Sequence, residues 1–250
     1  MPALINIFIR MCVPERTEDA MDQNETAYLF SALMTAREWV RVKQQTRNIR
    51  DIPYFRDPDN TWVDERAEIG AGTRVFPGCV IMGETVIGKN CVIWPHAVIF
   101  NVKTEDNVTI ALPHLKNCAI GRGSVVGSLS ELNRTELGKE VKMQHHGYLG
   151  DTTVGDGSNI GAGTITANYD GKNKHKTVLG TGSSTGVHTT LIAPNKLPEG
   201  VYIAAHSVVP ASANDKIEGG IPPFSLLISR VKELICKSLK RNEQKPKMEK

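Results

Sequence analysis

No apolar run in the 250 residues approaches the ~18 that a bilayer-crossing helix needs, so a soluble protein with no membrane partner is expected. The Ala3 to Ile9 run is followed at once by Arg10 and by no small-residue cleavage site, which points to a cytoplasmic location rather than export. Cys12, Cys79, Cys91, Cys118 and Cys236 are odd in number, form no CxxC pair and lack metal-ligand spacing. Neither a disulfide framework nor a metal site is expected from them. An excess of one charge is also missing: 30 Lys and Arg stand against 27 Asp and Glu. Eight of those bases and three Glu fall in residues 230–250, which leaves about −2 on the other 229. A nucleic-acid-binding body is therefore excluded, and residues 243–250 read as a solvated basic tail.

A six-residue rhythm dominates what is present. Val63, Ile69, Val75, Ile81, Ile87, Ile93 and Ile99 are aliphatic, and the fourth residue after each of the first six is small: Ala67, Thr73, Cys79, Thr85, Cys91 and Ala97. One helix face cannot hold residues six apart, and a simple strand alternates at two. The pattern calls for short strands joined by turns, an all-β repeat of the left-handed parallel β-helix type in which three hexapeptides make a triangular coil of about 18 residues. Cys79, Cys91 and Cys118 are then small core fillers. The rhythm slips at residue 99 and resumes through Val102, Val108, His114, Ile120, Val126 and Leu132, then continues to Leu137, Met143, Leu149, Val154 and Ile160. A polar loop from Ala167 to Val178 interrupts it before Leu179, Thr185, Leu191, Leu197 and Ile203. About eight coils over residues 57–210 are expected.

Flanking elements complete the division. Residues 1–23 form an extension without a strong pattern, and residues 24–56 a helix and linker, with Asn24 as cap and Leu29, Leu33, Ala36 and Val40 at helical spacing. Residues 211–242 read as a turn at Gly219 to Pro223 and a C-terminal amphipathic helix through Phe224, Leu227, Val231, Leu234 and Leu239.

The stretch from His145 to Thr177 departs from plain repeat. KMQHHGYLGD from Lys142 to Asp151 and NIGAGTITANYDG from Asn159 to Gly171 resemble the acetyltransferase half of the bacterial bifunctional UDP-N-acetylglucosamine pyrophosphorylase/glucosamine-1-phosphate N-acetyltransferase. The similarity spans about 200 residues, from DPDNTWVD at Asp57 to LLISR ending at Arg230. The family's nucleotidyltransferase domain has no counterpart here, so a sugar nucleotide is not expected to be made by this chain alone.

The resemblance implies an acetyl-CoA donor and an amino sugar phosphate or sugar nucleotide as acceptor. It implies His145 as general base, with Tyr148, Asn159 and Lys174 lining the sugar phosphate site. Ala162, Asn168, Tyr169, Ala205 and Arg230 would contact acetyl-CoA, and a homotrimer would carry sites between subunits. The residue types suit the chemistry, because an amine attacking a thioester needs a base that works near neutrality. No nucleophilic Cys or Ser is required, so direct transfer in a ternary complex is expected.

Two departures stand out. Where the family holds phosphate with an arginine and a lysine, the matching positions read Leu115 and Asn133; in the donor groove Val187 replaces a small polar residue and His206 a glycine. They leave open a non-catalytic binding or assembly subunit. His188 and His206, one coil apart, leave open a zinc-dependent hydrolyase of the same fold.

Overall fold

The computed structural model describes residues 33–45, 48 and 51–229. Strands of two to four residues stack into three sheets of ten, eight and ten strands, and successive members of each sheet are three strands apart in the chain, except the pairs made by Leu33–Thr35 and Leu226–Leu227, which are two apart. Apart from Leu33–Thr35, all pairings between strands are parallel. The first sheet runs from Trp62–Asp64 to Val208–Val209, the second from Glu68–Ile69 to Asn195–Leu197, and the third from Tyr54–Phe55 to Leu226–Leu227. Three flat walls around one apolar column make a left-handed parallel β-helix of about nine turns, one more than the repeat count suggests.

The inward stations are those that repeat. Val63, Ile81, Ile93, Leu132 and Leu149 are wholly buried, as are the small stations Ala67, Thr73, Cys79, Thr85, Cys91 and Ala97. Small polar stations close the backbone's hydrogen bonds from inside: Thr73 Oγ1 donates to the Gly88 carbonyl at 2.8 Å and accepts from Cys91 N–H at 3.0 Å. Ser124 Oγ serves Gly138 and Val141 in the same way. The expected thiol fillers are in place, with Cys79 Sγ donating to the Trp94 carbonyl.

Beyond Ile99 the phase differs from the expected one. Val102 and Val108 occupy small stations, Thr104 takes the aliphatic station, and Leu115 points inward while His114 is exposed. The cause lies in the corners. Each five-residue step, after Ile99, Ile110, Leu115, Leu132 and Leu149, is turned by one left-handed residue: Asn101, Leu112, Asn117, Arg134 and Asp151, at φ of 50° to 54°. Six-residue steps place that residue one position later, as at Asn90 and Asn107. Asparagine tolerates this conformation better than most residues.

The described parts of both flanks differ in detail from the expectation. Leu33–Thr35 is a strand antiparallel to Trp62–Asp64, and among the described residues the N-terminal helix is Ala36–Lys43. Thr35 caps it through a box with Glu38, and Arg41 and Lys43 complement its C-terminal end. Residues 24–32, including the expected cap Asn24, lie outside the described residues. Trp39 is fully buried and packs edge-on against Phe55 at 5.9 Å, closing the open end of the apolar column. At the other end Leu226–Leu227 is a strand on Tyr202–Ile203 rather than a helix. The N–H groups of Tyr202 and Ala204 would otherwise end the sheet unpaired; they donate to Ser225 and Leu227 at 2.8 and 2.9 Å. Residues 230–242 of the expected helix, with Arg230, lie outside the described residues.

Candidate functional site

Strand alternation sets two outward columns on the first sheet. Parallel register stacks His114, Glu131, Tyr148 and Ile165 in one, and Lys116, Asn133 and Gly150 in the other. Leu115 is therefore a core residue, 2% exposed, and cannot stand for a ligand-facing position. The outward neighbour of Asn133 is Lys116.

At the edge of these columns the tight corners stack a polar ladder. Arg134 donates from Nε and Nη2 to the Asp151 carboxylate at 2.6 and 2.9 Å, and from Nη1 to Asn133 Oδ1 at 3.0 Å. Asn168 Nδ2 donates to Asp151 Oδ2, the oxygen that also accepts from Arg134 Nη2. The space above Gly150 is filled by the Tyr148 hydroxyl and Asn168 Nδ2, 2.4 and 2.6 Å from where a Cβ would stand. Burial opposes ionisation of Asp151, but the hydrogen bonds from Arg134 and Asn168 outweigh it and hold the carboxyl below its usual range. Burial first, then the Glu131 charge, raises the Tyr148 phenol, which stays protonated and able to donate. Arg134 and Asp151 were not among the residues singled out in the sequence; their spacing of 17, one short coil, is the signal that marks them as neighbours.

His145 lies on the turn between Lys142–Met143 of the third sheet and Gly147–Gly150 of the first, with its imidazole exposed and its carbonyl accepting from Ser130 Oγ at 2.9 Å. Ala162, Val187 and Ala205 continue that corner along the axis, since Gly163 N donates to His146, His188 N to Ala162 and His206 N to Val187. Asn159 is exposed on the third sheet, between Lys142 and Ser184. Tyr148 stands round the corner on the first sheet, so the expected acceptor residues sit on two flanks of one edge rather than in one hollow.

The interrupting loop is a hairpin, closed by a bridge between Tyr169 and Lys174, both exposed. Asp170 organises it: Oδ1 accepts from Asn173 and Lys172 N–H at 2.7 and 2.8 Å, and Oδ2 meets His175 Nε2 at 2.6 Å. These bonds, Asn173 first, hold the Asp170 carboxyl far below its usual range. His175 N–H donates to the Asn168 carbonyl at 2.7 Å, tying the hairpin to the ladder.

His188 and His206 stack at 5.1 Å, and no group of three His, Cys, Asp or Glu among the described residues is placed to hold a metal ion. No described helix is long and apolar enough to cross a membrane.

Residues 66–101 match the bacterial transferase hexapeptide family (six repeats). The chain is 34% identical over 238 residues to the bifunctional protein GlmU of Symbiobacterium thermophilum, covering 87% of this chain and 48% of that protein. It is 36% identical over 197 residues to GlmU of Rubrobacter xylanophilus, 72% and 42% of the two chains, and 33% identical over 244 residues to GlmU of Clostridium kluyveri, 90% and 51%. A solved UDP-N-acetylglucosamine acyltransferase from Campylobacter jejuni overlaps 67% of this chain and 69% of its own at TM-score 0.49 and 16% identity, too distant to carry an argument. Coil and repeat are those of the hexapeptide β-helix, and the chain is similar to the GlmU proteins over about half of their length.

Proposed function

We propose that the chain transfers acetyl from acetyl-CoA to the amine of an amino sugar phosphate or nucleotide sugar. His145 is the general base in this reading: its exposed imidazole takes the amine proton as nitrogen attacks the thioester carbonyl, and the thiolate of CoA leaves by direct transfer in a ternary complex. The observation that carries the reading is the shared edge, where His145 stands between the Tyr148 face and the Ala162, Val187 and Ala205 column. The acceptor lies against Tyr148, Asn159 and Lys174, and Lys116 supplies the charge for its phosphate beside Asn133. The donor runs along the Ala162 and Ala205 edge, with Asn168, Tyr169 and Arg230 as further contacts. Backbone N–H groups of the glycine-containing turn offer donors to the developing oxyanion.

A convex edge cannot enclose two substrates, which supports a homotrimer whose neighbouring subunit completes the site; a cytoplasmic location suits both substrates. The binding-subunit reading loses one of its grounds with Leu115 in the core. Incubation with acetyl-CoA and a panel of amino sugars, their 1-phosphates and UDP-linked amino sugars, read as thiol release, tests the proposal. Turnover on one acceptor should fall roughly 10²- to 10⁴-fold in His145→Ala. A folded protein that turns over none of the panel would sink the proposal.

A further inference from the structure

We infer that His146, His188 and His206 form a column that binds the diphosphate of the acyl donor. The inference rests on the acyl-CoA reading of the same edge, because Val187 and Ala205, assigned there to the donor groove, directly precede two of the rings. His188 and His206 lie in successive coils with their rings stacked at 5.1 Å and 27°. His146 is two coils from His188, yet their centroids are 6.3 Å apart. Gly163 occupies the coil between them, and a Cβ there would lie 2.6 Å from His188 Nδ1. A glycine at that rung is what lets the third ring join the column.

The rings are exposed, and no side-chain hydrogen bond to another described residue occupies any of them. The outward positions flanking the column are Gly161, Gly186 and Ala204 on the third sheet and Ile165, Thr190 and Val208 on the first. None carries a carboxylate. The titratable groups nearest along these elements are His145 on the same turn, Tyr148 above Ile165 and Tyr202 beside Ala204.

The stacked His188 and His206 rings aim their nitrogens side by side and His146 meets His188 edge-on at 60°, and no group of three His, Cys, Asp or Glu among the described residues is placed to hold a metal ion. The same arrangement suits a ligand with two adjacent anionic groups. Each neutral imidazole offers one N–H and each imidazolium two. A dianion lying across two rings favours their protonated form, so its binding strengthens at lower pH.

The test is calorimetric titration of the full chain with CoA, with pantetheine, which lacks the diphosphate, and with UDP, at pH 6 and pH 8. His188→Asn/His206→Asn keeps residues that tolerate the left-handed corner; His96→Asn, at a left-handed corner where His96 covers Gly78, is the control. CoA should bind about tenfold tighter at pH 6, and the double variant should lose about tenfold at pH 6 together with the pH dependence, with pantetheine and the control unaffected. The same response to UDP but not to CoA would keep the diphosphate column and overturn its assignment to the donor. A double variant that binds both like the wild type overturns the column while leaving the transferase reading intact. A column response in a protein that acetylates no acceptor would retain the column and remove the transferase reading.

Discussion

Gly150 shows how one absent side chain builds a site. Its φ is ordinary, so alanine is allowed by the backbone, but the new methyl would meet the Tyr148 hydroxyl and Asn168 Nδ2. Gly150→Ala should therefore separate that pair and lower acetyl transfer at least tenfold while the far-ultraviolet spectrum of the coil stays unchanged; activity equal to wild type would remove Tyr148 and Asn168 from the site. The cysteines carry the opposite message. Burial pushes the Cys79 and Cys118 thiols up to about 11, and it raises Cys91 as well. Iodoacetamide at pH 8 should leave these three unmodified in the native protein and label them on unfolding, as peptide mass spectrometry would show; native labelling would contradict the packing. Asp151 and Asp64 set the acid limit. Asp64 is fully buried, and its carboxylate accepts from Arg66 and from Gly83 N–H, which outweighs desolvation and lowers its range. A carboxyl lowered in the fold stabilises it fully above the unfolded value, about 3.9, and loses that contribution as pH falls through the folded value. Midpoints of urea unfolding should therefore drop from pH 5 toward pH 2, with a smaller drop in Asp64→Asn; an equal drop in both would free Asp64 of that role.

Among the elements, the inward stations were legible because a β-helix repeats them at fixed spacing. What defeated the simple rhythm was corner length. Asn101 and Asn117 announce the short corners, yet Leu112 and Arg134 turn equally short ones without a turn-forming side chain, so the six-residue phase placed His114 inside where Leu115 stands. At the inner ends of the flanking segments strands stand where helix was expected, for another reason. Residues 33–35 and 226–227 have helical periodicity in the sequence, but each lies against an open sheet edge whose backbone groups need partners, and that demand outweighs local pattern. The motif marks His145, Tyr148 and Asn168 as candidates; the link from Asn168 through Asp151 to Arg134 is not legible in it, because it depends on coils of 17 residues rather than 18. The helix Ala36–Lys43 is short, so its cap matters. Thr35→Ala should cost about 1 kcal/mol in chemical denaturation, and no change would mean that packing of Trp39 alone fixes Ala36–Lys43.

The described coils form a prism whose stability is stacked coil upon coil, and the proposed chemistry lies on an edge. Asn159 and Tyr148 face outward from different walls on either side of His145. No motion of a close-packed triangular coil folds two outward walls toward each other. A hollow between them requires a second surface, and the proposed trimer supplies one from the adjoining subunit. The coil itself needs no neighbour for its core, since the aliphatic stations are buried within one chain. Folding and activity should therefore separate on dilution. As chain concentration falls below the trimer's dissociation range, acetyl transfer per chain should fall steeply while circular dichroism and the unfolding midpoint of the coil stay near their starting values. Mass photometry on the same samples would show trimers giving way to monomers over that range. Constant activity per chain in samples that are monomeric by mass would place the complete site on one prism edge and remove the intersubunit arrangement.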